Sequence, residues 1–261
     1  MEKIDQILLK IYTILDRAVE FFKHITRLEI MTKINEMSRK IHSSLILLAI
    51  LLTAILAIYL SIKFGSGEPI IYGISYILGA LVLSYLAKDF HGACESQISA
   101  NRTTLSNNAI LRFSAISSLL AAILLFLGFL ASFFSGDISQ SLLLLFYALI
   151  LYLIAGTMFN PSLININVSS DSSSGEDFIT IFSSGLKTFL YFERIISSLL
   201  ILLGIIVVIQ IIIYGLSSVT LNSLGLIPAG IAFPILAYLS FTILWFVNSL
   251  LLSILSLRKN P

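Results

Sequence analysis

Six stretches of this chain carry no charged side chain and no histidine, and each is about as long as a bilayer is thick. They are Ser44–Ile62, Ile70–Ala87, Phe113–Phe134, Leu142–Phe159, Ile195–Leu216 and Leu226–Leu257. At about 1.5 Å per helical residue, roughly 20 residues cross about 30 Å of hydrocarbon. Backbone amides inside lipid must be bonded within the chain, so such stretches become helices or a closed barrel. The apolar residues run on without alternating, which selects helices. The fold expected is all-α and polytopic, with six transmembrane helices in three hairpins behind a cytoplasmic amphipathic helix. The last window is too long for one upright span. Pro228 and Pro234 near its start predict a broken or tilted beginning, with the span itself at 228–257. Composition agrees: 57% of the 261 residues are hydrophobic and only 11% charged, far below the roughly 25% of a soluble domain. A soluble enzyme, a disordered chain and a free basic nucleic-acid binder are excluded.

Between the spans, basic residues are unevenly shared. Eight Lys and Arg lie in residues 1–43, three from Lys88 to Arg112, two in the 160–194 loop and two in the 258–261 tail. The opposite side has only Lys63. Positive residues mark the cytoplasmic side, so we expect a multi-pass protein of the cell membrane with both termini and the loops 88–112 and 160–194 in the cytoplasm. The membrane domain is then 44–257. Each hairpin opens with a basic residue followed by a serine pair: Ser43-Ser44 after Arg39 and Lys40, Ser117-Ser118 after Arg112, and Ser197-Ser198 after Arg194. Either helix ends of this kind favour Arg and Ser generally, or the hairpin is triplicated with pseudo-symmetry.

Two cytoplasmic segments have helical periodicity. In residues 2–42, Ile4, Leu8, Ile11, Leu15, Ala18, Phe22 and Ile25 form one apolar stripe, widened by Ile7, Ile14, Phe21 and Leu28. Glu29–Lys33 and Glu36–Lys40 are spaced as i,i+4 pairs. This helix serves either to lie against the bilayer interface and the protein's own loops or to dock a partner. In the 160–194 loop, Ser173 with Glu176 has the form of a capping box. It opens a helix toward Arg194 that is amphipathic through Phe178, Ile181, Phe182, Phe189 and Phe192.

Chemistry is sparse. Without an Asp, Glu, Lys, Arg or His in any span, a proton relay, a voltage sensor or an aspartyl or metal-dependent intramembrane protease lacks its working residue. The cluster Asp89, His91, Cys94 and Glu95 offers metal-ligand types, but a single Cys and His in one short segment make a polar helix end the simpler reading. No catalytic, cofactor or metal site is expected. Arg39, Lys40, Arg112 and Arg194 stand where hairpins meet the cytoplasm. They are topology anchors or, if the hairpins surround an axis, a basic collar able to attract a polyanion. Gln210 and Asn248 are the polar residues deep in spans five and six, suited to interhelical hydrogen bonds or to a hydrated path. Small residues recur every four positions at Ala49, Thr53, Ala57 and Ser61, and at Gly128, Ser132 and Gly136. They mark packing faces within the bundle or between protomers.

Six spans behind a long cytoplasmic lead, rich in Ile, Leu, Ser and Tyr with one Cys and one Trp, resemble the CedA family, the polytopic component of the crenarchaeal DNA-import system. The resemblance lies in overall build, and no residue role carries over with it. It implies a non-enzymatic component of a macromolecular translocation machine. Other membrane subunits and a separate cytoplasmic ATPase would be its partners, the lipid bilayer its surroundings and DNA its cargo; apart from the resemblance, the small-residue faces leave a homo-oligomer open. The alternative expectation is a self-contained channel or small-molecule facilitator gated by cytoplasmic helices.

Overall fold

The computed structural model describes residues 13, 16–17, 19–169, 174–215 and 224–257. Among them are seven long helices: α1 (Leu28–Phe64), α2 (Glu68–Ala100), α3 (Ala109–Phe134), α4 (Ile138–Phe159), α5 (Ser174–Tyr191), α6 (Glu193–Tyr214) and α7 (Leu226–Leu257). All but α5 are long and apolar enough to cross a membrane. The fold is all-α and polytopic, as the uncharged windows predict. The pairs α1–α2, α3–α4 and α6–α7 turn at one end of the molecule, here the far end. The segments between hairpins gather at the other end, the base.

The three hairpins are not equivalent. Helices α1, α2, α7 and α6 close a ring in which each packs on its two neighbours, so the first and third hairpins form one four-helix bundle. Its interior is filled by Ala49 and Leu56 of α1, Ala80 of α2, Ile201, Ile205, Val208 and Ile211 of α6, and Ile227 and Ile231 of α7. Close approach rests on small residues. A Cβ placed on Gly73 would stand 2.4 Å from the Ala57 Cβ, and one on Gly230 2.9 Å from the Ser197 carbonyl oxygen. Ala49, Thr53 and Ala57, marked in the sequence as a packing ridge, are all buried. Helices α3 and α4 pack chiefly on each other, with Gly128 against Leu144. Among the described residues they join the rest near the base, where Gly156 of α4 meets Met31 of α1. The pseudo-threefold arrangement that a triplicated hairpin suggests is therefore not the one adopted.

The base is more helical than the loops expected there. Helix α2 continues through 88–100, giving a rod of roughly 50 Å. No break separates a lead helix ending at residue 43 from the first span, because α1 runs on from Leu28. The break falls at Thr26–Arg27, where Arg27 is extended (φ −53°, ψ 150°). Before it, residues 19–25 are helical. The carbonyls of Ile25 and Thr26, left without helical donors, accept from the Tyr152 hydroxyl at 2.8 Å and from Asn160 Nδ2 at 2.6 Å, both near the end of α4. Of the lead-helix stripe, Phe22 and Ile25 are half-buried while Phe21 and Leu28 are exposed; the positions up to Ile11 and Ile14, Leu15 and Ala18 lie outside the described residues. Neither Glu29–Lys33 nor Glu36–Lys40 forms an ion pair; among the described residues the pairs are made elsewhere.

Helix α7 is continuous where a broken start is expected. Pro234 has no N–H for the carbonyl of Gly230, and the Ser197 hydroxyl donates to that carbonyl instead, at 2.6 Å. A two-stranded parallel sheet, absent from the sequence reading, ties the two base loops together. Strand β1 (Thr103–Leu105) lies along β2 (Ile166–Val168) with Thr103 opposite Ile166. Helix α5 starts at Ser174, close to the expected position; Ser173 of the capping box and the 258–261 tail lie outside the described residues.

Candidate functional site

The ring's charged residues meet at one level. His42 of α1, His91 of α2 and Glu193 of α6 each stand about 22 residues, roughly 33 Å, from the far ends of their helices. That is the depth at which uncharged windows give way to polar ones on all three. Helical spacing then collects their neighbours on the same faces: Arg39 one turn before His42, Glu95 one turn after His91, and Ser198 one turn beyond Arg194.

Glu193 is the centre of the network. Its side chain is 3% exposed, and both carboxylate oxygens lie within hydrogen-bond distance of His91 Nδ1, at 2.8 and 2.9 Å. Arg194 Nε is 3.4 Å from the same carboxylate, and its Nη1 is 3.2 Å from Glu95 Oε1. Arg39 Nη2 reaches that same Glu95 oxygen at 2.6 Å. Three ring helices are thus tied by two guanidinium groups and two carboxylates whose charges balance. The rings of His91 and His42 meet edge to face with centroids 5.1 Å apart, and His42 Nδ1 is 3.1 Å from the Ser198 hydroxyl.

Two clefts border this network. The larger, about 520 Å3, opens at the base between α1, α2 and the α5–α6 junction, with Glu36, Arg39, Glu95, Tyr191, Glu193 and Arg194 in its wall. The other, about 320 Å3, lies between α1 and α2 and is lined by His42, Ser43, Ser84, Tyr85, Lys88 and His91. The histidines and Glu193 stand between the two.

A second polar cluster lies under α5. Lys187 is fully buried. Its Nζ donates to Thr103 Oγ1 at 3.0 Å and to the Asn165 carbonyl at 3.4 Å, and it faces the Trp245 ring 5.7 Å from the centroid. Burial pushes the Lys187 ammonium down from its usual value to about 8.

The sequence-proposed collar is only partly assembled. Arg39 and Arg194 converge, but on Glu95 and not on open space. Arg112 lies at the foot of α3, where it pairs with Asp16 at 3.5 Å. Lys40 is exposed. Of the deep polar residues, Gln210 is half-buried, and Asn248 is buried with its Nδ2 unpartnered. The Asp89–Glu95 cluster is dispersed: Asp89 is exposed, Glu95 turns to the arginines, His91 to Glu193, and Cys94 Sγ packs inward 3.7 Å from the Pro234 carbonyl. Among the described residues no three His, Cys, Asp or Glu side chains converge as a metal site. The serine pairs also differ. Ser197 and Ser198 are buried and bonded, whereas Ser43, Ser44 and Ser117 are exposed.

Sequence reasoning overlooked Glu193, His42 and Lys187 as site residues. Glu193 had a visible signal, an acid two residues before an uncharged window and beside Arg194. No family model, curated protein or solved structure matches the chain.

Proposed function

We propose that the chain is a non-enzymatic membrane subunit of a macromolecular translocation machine, with its base in the cytoplasm, a separate ATPase as its source of energy and DNA as the leading cargo. The observation that carries the reading is the contrast between a filled ring and a hairpin that stands beside it. Ala, Leu, Ile and Val occupy the ring axis, so a hydrated route through one chain would need those side chains displaced. A route formed between chains needs no such displacement, and α3 and α4 offer apolar faces for assembly. The same packing weighs against a self-contained channel.

The non-catalytic part of the reading is supported by the Ser198–His42 contact. Its atoms are those of a nucleophile and a base, but Ser198 lies in the second turn of α6. The surrounding amides are already bonded within the helix and cannot hold an oxyanion. DNA as cargo rests on the resemblance to the CedA family and draws little from the base, where two of the four collar residues, Arg39 and Arg194, are engaged by Glu95.

The test is functional. Deleting the gene should abolish ATP-dependent DNA uptake by cells. The purified chain alone in planar bilayers should remain electrically silent and should turn over no substrate. Steady ion conductance by the isolated chain would overturn the proposal in favour of a channel.

A further inference from the structure

We propose that α5 is a membrane-interface helix whose partner is the lipid leaflet at the base, entered by Phe178, Phe182 and Phe189. The helix leaves an aromatic stripe outside while burying polar residues beside Ile179 and Leu190. Thr180, Ser183, Lys187 and Thr188 are each at most 2% exposed, while Phe178, Phe182 and Phe189 are 62, 47 and 44% exposed. The three phenylalanines share one stripe and leave about half of their surface outside the protein, with only the Phe189 edge bordering α4, so a nonpolar medium must meet the rest.

Orientation is fixed by hydrogen bonds and not by apolar packing alone. Thr180 Oγ1 donates to the Thr104 carbonyl at 2.6 Å, Lys187 Nζ to Thr103 Oγ1, and Thr188 Oγ1 lies 3.1 Å from Thr157 Oγ1 of α4. The Asp177 carboxylate accepts from the amide and hydroxyl of Ser106. Rolling α5 to hide the phenylalanines would break these inter-element bonds and strand a buried cation.

The level of α5 identifies the occupant. Its lysine touches the Trp245 ring, and Trp245 stands about 19 residues, roughly 29 Å, along α7 from the far end. That is the depth of the hydrocarbon boundary, where Trp is favoured. Around Trp245, α7 itself exposes Ile243, Phe246, Val247 and Leu250, so the outward apolar surface of the spans reaches this level. A lipid leaflet that covers these residues extends over the α5 stripe. The chemistry of the contact is hydrophobic insertion. The helix's lone basic side chain is buried, and its first turn carries Glu176 and Asp177, so attraction to anionic headgroups contributes nothing.

The full chain with Phe182→Trp in a Trp245→Phe background, reconstituted in phosphatidylcholine vesicles, tests this, because the introduced indole is then its single tryptophan. Lipids brominated near the headgroup end of the acyl chain should quench the indole fluorescence at least two-fold, with acrylamide in the water weakly effective. Adding anionic lipid or raising salt should leave the quenching unchanged. A nitroxide on Phe178→Cys provides a check that keeps Trp245, since the native Cys94 is fully buried. Its collisions with oxygen should exceed those with a water-soluble nickel chelate. Quenching by acrylamide with none from bromolipid, or preferential collision with nickel, would overturn the proposal. So would protection from every quencher, the signature of a covering protein.

Discussion

Helix α6 of the ring and helix α3 of the hairpin have nearly the same sequence character. Both have an arginine in the first turn, a serine pair just beyond, and then only uncharged residues rich in Leu, Ile and Ala or Val. Yet half of the most apolar window of α6 is buried inside the protein, against 17% of that of α3. Apolarity cannot account for the difference, because lipid is as good a solvent for leucine as a protein interior is. Shape can. Gly204 and Gly230 let α6 and α7 approach until a Cβ on either would overlap the partner helix. The ring is therefore selected by fit, and the hairpin, lacking such a fit to the ring, keeps to itself.

The comparison can be broken by placing the same side chain on each side of it. Gly230→Leu would drive its Cβ into backbone atoms, 2.9 Å from the Ser197 carbonyl oxygen and 3.0 Å from the Ile201 nitrogen. It should cost about 4 kcal/mol or more, at the far end of what single substitutions do. Gly128→Leu meets only the flexible end of Leu144, at 3.5 Å. It should cost about 1 kcal/mol, within the range for overpacking where a neighbour can yield. Reversible unfolding in mixed detergent micelles measures both. Equal losses would mean that ring and hairpin are packed alike.

Much of this was open to a reader of the sequence, and for physical reasons. Backbone satisfaction in lipid turns an uncharged window into a helix whatever surrounds it, so the six spans were legible. Which helices neighbour which was not, since Ser117-Ser118 and Ser197-Ser198 read alike and only the second pair is buried. Helix α5 carries two stripes, one aromatic and one of Thr, Ser and Lys. In water the aromatic stripe would face inward, and that rule fails where the outside is lipid. Glu193 went unread as a site residue because its partner His91 is 102 positions away in sequence.

Between the two regions lies α5, packed on α7 of the ring and bonded through Thr188 to Thr157 of the hairpin. Its Lys187 gives the junction a pH signature. The folded pKa of about 8 lies below the unfolded value near 10.4, so between these values the unfolded chain holds a proton that the folded chain has released. Stability should therefore rise as pH climbs from about 8 to about 10.5, by roughly 3 kcal/mol in all, and stay level below pH 8 as far as this group is concerned. Lys187→Met should lack that rise while the rest of the profile persists. Parallel profiles for the two proteins would show that the buried ammonium carries no desolvation cost.

The smallest effect concerns how the hairpin hangs from the ring. The chain break at Thr26–Arg27 leaves carbonyls at Ile25 and Thr26 that α4 answers with Tyr152 and Asn160. Tyr152→Phe keeps the ring's packing and removes one hydrogen bond, a loss of about 1 kcal/mol. Asn160→Ala should cost a similar amount and add to it incompletely, because both donors dock the same turn. The informative readout is local. Amide hydrogen exchange should quicken in residues 19–27 and in the last turns of α4, with the ring helices α6 and α7 unchanged. Faster exchange spreading into α6 would make hairpin and ring a single cooperative unit, and the contrast between them would then be one of burial and not of stability.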